Sequence, residues 1–221
     1  MWQEPLGIGA DASQGCASPG NLPAGQVLCT RSNMNKDNGP VKLGAGPHPI
    51  QSRHHHSNTW LVQRTTGPDR ITVGPSTDHV DLLLELANCW PGPYYLLYVL
   101  LTPRDGLNRS GRYQSEQLLS MDQIRDVCET YRDYLQGDGR HNVWIGSPRG
   151  KGLVIYDHHE LIYGYGPIQE YINVVTSRGL VKGTPVIPSP HTHNYHPAFD
   201  NEERKIMQLG WIYSPLQNGD D

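Results

Sequence analysis

HNVWIGSPRGKGLVIYDHHELIYGYGPIQEYINVVTSRGL, residues 141–180, is the stretch whose reading decides the fold. It holds three short apolar runs, Asn142-Val143-Trp144-Ile145-Gly146, Leu153-Val154-Ile155-Tyr156-Asp157 and Leu161-Ile162-Tyr163-Gly164-Tyr165. Each has strand length, and the links between them are too short for a crossover, so the runs form an antiparallel meander. The first link is Ser147-Pro148-Arg149-Gly150-Lys151; the second is Asp157-His158-His159-Glu160, which is not a usual two-residue hairpin pair. Gly166-Pro167 then opens a helix with Pro at its first position, where the missing N–H costs nothing. Ile168, Tyr171, Ile172 and Val175 make its apolar stripe, Arg178 lies in its last turn, and Gly179 supplies a left-handed finish before Leu180.

Upstream, Trp60-Leu61-Val62-Gln63 and Ile71-Thr72-Val73 flank Gly67-Pro68-Asp69 and read as a hairpin. Ser76 or Thr77 caps a helix whose residues Val80, Leu83, Leu84 and Ala87 share one face, and Pro91-Gly92-Pro93 ends it. Residues 94–102 are a continuous apolar run of strand length between Pro93 and Pro103, the mark of a central strand covered on both faces. Residues 104–116 are polar and read as a loop. Ser120 and Gln123 then form a capping box, and Ile124, Val127, Cys128, Tyr131 and Leu135 repeat at helical spacing until Gly137.

The two ends differ from this middle. Residues 1–58 are rich in Gly, Pro, Asn and Ser with no sustained period, and cannot offset roughly 1–2 kcal/mol of backbone entropy per residue. They are expected to form a disordered or loosely draped extension. Residues 59–181 form the domain, and 182–221 a Pro- and His-rich extension with a short helix near 202–209 and Trp211-Ile212-Tyr213 as an anchor. Only 36% of the 221 residues are hydrophobic, so a core is built in the middle rather than end to end.

The net charge of −4 and the absence of a basic stripe argue against nucleic-acid binding. No apolar run reaches membrane-spanning length, and Met1-Trp2-Gln3-Glu4 has neither a basic nor an apolar leader region, so a soluble cytoplasmic protein without a membrane partner is expected. The four cysteines, at 16, 29, 89 and 128, contain no C-x-x-C pair and fit a reducing compartment.

Chemistry concentrates in histidines. His191, His193 and His196 have H-x-H-x-x-H spacing, with Asp200 and Glu203 following. Imidazole is a common ligand for zinc and related ions, and alternate residues of an extended chain project to one side. Over six residues the spacing is similar to the first metal motif of the metallo-β-lactamases. The aspartate that precedes the third histidine there is absent, and the family is rejected. His158 and His159 stand at a turn, beside Asp157 and Glu160 as orienting carboxylates for a general base; adjacent side chains on a ribbon diverge, so both rings on one ion is awkward. His54-His55-His56 falls in the irregular segment and says nothing about fold. Ser147–Gly152 lacks the P-loop spacing and reads as a hairpin tip. Tyr113, Tyr163 and Tyr165 are candidates to line a binding groove. No nucleophile elbow or dinucleotide fingerprint is present.

These readings give an α+β domain with about three helices on one face of a mostly antiparallel sheet, compatible with a ferredoxin-like or plait-type arrangement. The expected function is a small acidic interaction module without catalysis, its partner another protein, an immunity- or antitoxin-like role being one version. The alternative is a metal-binding protein or metal-dependent hydrolase, with zinc or another divalent metal held by His191, His193 and His196 and by Asp200, Glu203 or His158 as further ligands. If the tail returns so that His191 or His193 meets His158 or His159, the two histidine groups become one site; otherwise neither is expected to be catalytic.

Overall fold

A computed structural model of the chain describes residues 39–47, 53–104, 106 and 108–220. The elements in order are β1 Leu43–Ala45, β2 Thr59–Gln63, β3 Arg70–Gly74, α1 His79–Ala87, β4 Tyr95–Leu100, β5 Gly111–Ser115, α2 Met121–Thr130 and α3 Arg132–Gly137. They continue as β6 His141–Gly146, β7 Leu153–Tyr156, β8 Ile162–Tyr165, α4 Ile168–Ser177, β9 Val181–Lys182, β10 His191–His193, a 3-10 turn Pro197–Phe199, α5 Asp200–Ile206 and β11 Trp211–Ser214. All belong to one unit, Asn35–Asp221. Among the described residues no helix is long and apolar enough to cross a membrane.

Nine strands make one sheet in the order β11-β5-β4-β6-β7-β8-β3-β2-β9, and β1 pairs with β10 in a separate two-stranded sheet. Every pair in the large sheet is antiparallel except β2 with β9. The fold is therefore α+β with a mixed, mostly antiparallel sheet. Five helices are described where the sequence suggests about three, and nothing in this strand order singles out a ferredoxin-like or plait-type arrangement.

Strand alternation divides the sheet into two faces. Ile71, Val73, Leu96, Tyr98, Leu100, Val143, Ile145, Val154, Tyr156 and Ile162 face the helices and build the core. There α1 packs on β7 and β8, α4 packs on β3 and β8, and α2 and α3 lean on α1. Leu97 and Val99 are buried too, so β4 is covered on both faces, as its unbroken apolar run implies. Arg70, Trp144, Ile155, Tyr163 and Tyr165 alternate to the opposite face, where the site lies.

Local signals explain most elements. The capping box at α2 is present: Gln123 N–H donates to Ser120 Oγ (3.2 Å), and Ser120 N–H to Gln123 Oε1 (2.9 Å). Gly179 sits at φ 81 and Leu180 N–H reaches Val175 O (3.0 Å), the expected finish of α4. The single helix expected through Gly137 is instead bent at Tyr131 (φ −107, ψ 15) into α2 and α3. Pro167 is the residue before α4 rather than its first position.

Larger differences lie at the ends and in the 104–116 loop. Residues 111–115 form β5, because β4 and β11 hydrogen-bond to it from either side; Tyr113 is its one large apolar side chain, so the sequence carries no pattern to announce it. The expected extension over 1–58 lies outside the described residues for 1–38 and 48–52. Its described parts are built into the fold: Lys42 and Leu43 are fully buried, and β1 pairs with β10. The 182–221 segment likewise carries β10, α5 and the sheet strand β11.

The C-terminal segment is held by a buried charge set. Arg140 Nε and Nη2 donate to the two oxygens of Asp138 (2.7 and 2.9 Å), Nη1 pairs with Glu203, and Asp200 Oδ1 lies 3.2 Å away. Arg140 has no exposed surface, and Glu203 is 2% exposed. Removing one member of such a set leaves opposite charges buried without compensation. Arg140→Leu is therefore expected to destabilise the fold by roughly 3–5 kcal/mol, read as a fall in the urea unfolding midpoint.

Candidate metal centre

The turn after β7 is built on the Asp157 carboxylate. Its Oδ1 accepts the backbone N–H groups of His159 (3.0 Å) and Leu161 (2.8 Å), and its Oδ2 faces His159 Nδ1 (3.2 Å). Burial pushes the carboxyl upward, but the bonds from His159, the neighbouring histidines and the Leu161 N–H together hold it below its usual value. Glu160 closes the turn in the left-handed region (φ 62), which costs an L-residue of order 1 kcal/mol. Because His158 and His159 occupy a turn and not a strand, their rings do not diverge. The centroids lie 4.0 Å apart, contrary to the expectation from ribbon geometry.

The other two histidines come from β10. Leu43 pairs with His193 and Ala45 with His191, so the H-x-H spacing places both on one side of the strand. Three backbone bonds fix the position of β10: Gly139 N–H to Asn194 O (2.9 Å), Asn194 N–H to Lys42 O (2.8 Å), and Gly46 N–H to Pro190 O (2.9 Å). Lys42 in turn is anchored behind the turn, its N–H donating to Glu160 Oε1 (3.2 Å) and its Nζ lying 4.0 Å from the Tyr156 ring centre. Burial draws the Lys42 amine down to about 8 against the pull of Asp157 and Glu160, and raises Glu160 to about 7 against the opposing Lys42 charge.

The tail thus returns to the turn. His193 lies 4.4 Å from His158 and 4.8 Å from His159 between ring centres, and His191 lies 5.2 Å from His159. One ligand atom each from His158, His159 and His193 falls within 4.8 Å of the others. The far edges of the rings are engaged. His158 Nδ1 lies 3.0 Å from Asn142 Oδ1, which also accepts the His158 N–H, while Asn142 Nδ2 donates to Asp220 O (2.7 Å). That fixes the amide orientation and makes His158 Nδ1 the protonated nitrogen. His159 Nδ1 donates to Asp157, and His191 Nδ1 to Pro188 O (2.9 Å). His193 Nδ1 is buried with no hydrogen-bond partner among the described residues.

Ligating histidines characteristically donate one ring N–H to an oxygen and turn the other nitrogen's lone pair to the metal. Three of these four rings, those of His158, His159 and His191, donate one N–H in that way. Burial holds His158 down at about 3 and His193 at about 4, with His159 adding to both, so neither ring needs to lose a proton to coordinate near neutral pH.

Beside the cluster lies a cavity of about 230 Å³ lined by Arg70, Asn142, Trp144, Ile155, Asp157, His158, His159, Tyr163, Tyr165, Ile187, Gly219 and Asp220. A larger depression, about 760 Å³, around Trp90–Tyr94 and Leu118–Met121 shares no residue with the histidines and has only Cys89 and Tyr94 as titratable groups. Chemistry therefore selects the smaller one.

The remaining expected residues go elsewhere. His196 Nε2 donates to Val41 O (3.2 Å), and its N–H to Asp138 Oδ2 (2.8 Å). Asp200 and Glu203 are paired with Arg140 instead. Tyr113 points into the core against Tyr213 and donates to Arg109 O, whereas Tyr163 and Tyr165 line the cavity. His56, expected in a loose segment, is 3% exposed and donates through Nε2 to His159 O (2.8 Å), supporting the turn from behind. Asn142, Arg70 and Lys42 were invisible as site residues: a single polar residue in a strand, or one lysine in a Gly- and Pro-rich run, carries no local signal.

No family model, no curated protein and no solved structure matches the chain.

The depressed histidines make stability depend on pH. Between their folded values of about 3 and 4 and the ordinary value of 6.5, the unfolded chain binds more protons, so this contribution is full above pH 6.5 and is lost as pH falls. Glu160, raised to about 7, acts in the opposite sense between 4.5 and 7. The histidine part is therefore expected as a difference: in chelator, the urea midpoint of wild type falls more between pH 7 and pH 5 than that of His158→Gln/His193→Gln.

Proposed function

We propose that this protein is a metal-dependent hydrolase of the zinc type, with His158, His159 and His193 as ligands and His191 or water completing the set. The observation that carries the reading is the convergence of three imidazoles from two distant segments, with the second nitrogen of His158 and His159 already tied to an oxygen. A tetrahedral zinc with Zn–N of about 2.0–2.1 Å needs ligand nitrogens about 3.4 Å apart, so the rings must close by at most about 1.4 Å. Three protein ligands beside a cavity correspond to a catalytic rather than a closed structural site, and a metal held there would supply a bound water of lowered pKa. Asp157 orients His159, and Asn142 orients His158.

Untagged protein is expected to retain about one equivalent of zinc, cobalt or nickel. At free metal 100-fold above Kd, binding raises stability by about 2.7 kcal/mol, read in the thermal midpoint. His159→Ala and His193→Ala should abolish this shift, and His54→Ala/His55→Ala should leave it. Protein that binds no metal and melts identically with zinc and with chelator defeats the reading.

A second reading, a protein-interaction module, is supported by the edge strand β11, where Ile212 is 55% exposed beside an open groove lined by Leu119, Leu209 and Trp211. A partner chain would add a strand there. A species that sediments as a monomer at all concentrations and holds no protein in a gentle pull-down from its host counts against it.

A further inference from the structure

The cavity beside the histidines has a floor and a far end of its own. On the open face of the sheet, Arg70 pairs across the strands with Tyr165, while Tyr163, Ile155 and Trp144 form the next row. Rows on one face are two residues apart along each strand, about 6.6 Å. One further step reaches Asn142, the residue that anchors His158. The Arg70 guanidinium leans over the Tyr163 ring (5.1 Å to its centre), so it covers part of that distance toward the histidines. Its Nε donates to Gln63 Oε1 (2.8 Å) and its Nη1 faces Tyr165 Oη (3.5 Å); no carboxylate pairs with it among the described residues. Trp144 Nε1, on the same floor, is buried with no acceptor among the described residues.

The carboxylates of the lining do not oppose an anion there. Asp157 is turned onto His159 and Leu161, and Asp220 pairs with Arg112 (3.0 Å) and accepts the Gln217 N–H (2.6 Å). What remains is a cation with spare donors, a floor of Tyr163 and Ile155 that ends at Trp144, whose ring Arg112 covers (5.1 Å to its centre), and a cluster of metal-type ligands at the other end. The volume of about 230 Å³ lies below the roughly 300–1,000 Å³ of pockets for drug-sized ligands.

We infer that Arg70 is an anion-recognition residue, and that the substrate is a small carboxylate with a flat apolar body lying against Tyr163 and Ile155. Its anion rests on Arg70, and its reactive polar group is directed to the histidines. This assignment rests on the proposed metal reading for the reactive end only; the Arg70 end stands on its own contacts. A planar guanidinium fits a carboxylate through two parallel N–H groups, which Lys cannot reproduce.

Calorimetric titration of benzoate, with benzamide as its neutral counterpart, tests this on the full chain with and without bound zinc. Benzoate is expected to bind wild type at least tenfold more tightly than benzamide. Arg70→Gln should weaken benzoate about tenfold to a hundredfold, as loss of a charge-assisted bond does, and leave benzamide unchanged. Arg70→Lys should recover only part of the difference. Far-UV circular dichroism and melting confirm that each variant is folded, and the benzoate–benzamide comparison on wild type needs no variant. Equal binding of the two, no benzoate binding, or indifference to Arg70→Gln overturns the inference even when zinc is bound. Arg70-dependent benzoate binding to a protein that takes up no zinc upholds it while the metal reading falls.

Discussion

Arg140 lies without exposed surface among Asp138, Glu203 and Asp200, and the shape of the site depends on that arrangement. A guanidinium out of water must find several acceptors, and no single segment supplies them. Asp138 comes from the approach to β6, while Asp200 and Glu203 come from α5, so satisfying the charge draws the C-terminal segment onto the sheet. The same Asp138 accepts the N–H of His196 (2.8 Å), and the Asn194 carbonyl accepts from Gly139. The H-x-H pair begins three residues upstream of Asn194. The ion pair anchors the chain just after β10, and the pairing with β1 and three backbone bonds bring its histidines to the turn.

Within the site, the geometry is supplied by groups that would never touch a metal. Asn142 links the backbone and ring of His158 to the carbonyl of Asp220, Asp157 links the ring of His159 to the turn, and Pro188 holds His191. Each of these bonds selects a tautomer as well as a direction, which is the preorganisation a coordinating imidazole needs. The left-handed Glu160 is the strained residue of the set, and its carboxylate accepts the Lys42 N–H (3.2 Å). Strain of that kind persists only where the surroundings over-determine it.

Electrostatics separates the two ends of the cavity. Behind the turn, Lys42, Glu160 and Asp157 form a buried mixed-charge group, and Lys42 is balanced against its neighbours rather than offered to a ligand. On the open face, Arg70 is held by an amide and two tyrosines, none of which neutralises it. One cation is balanced within the fold, and the other meets no carboxylate among the described residues.

The amino-acid sequence by itself determined the middle of this protein. Apolar periodicity placed α1, α4 and the β6–β8 meander; the Ser120–Gln123 box placed the start of α2; and the H-x-H spacing placed His191 and His193 on one side of a strand. These are local effects, written in neighbours a few residues apart. Tertiary structure alone decided the rest. β1 and β5 are strands only because β10, β4 and β11 hydrogen-bond to them, and their own side chains carry too little apolar pattern to show it. It also split the expected ligand set, leaving His193 with His158 and His159 while the buried charge of Arg140 claimed Asp200 and Glu203. Whether a polar side chain serves a site or the fold depends on which partner reaches it, and such partners lie as far as 155 residues away along the chain.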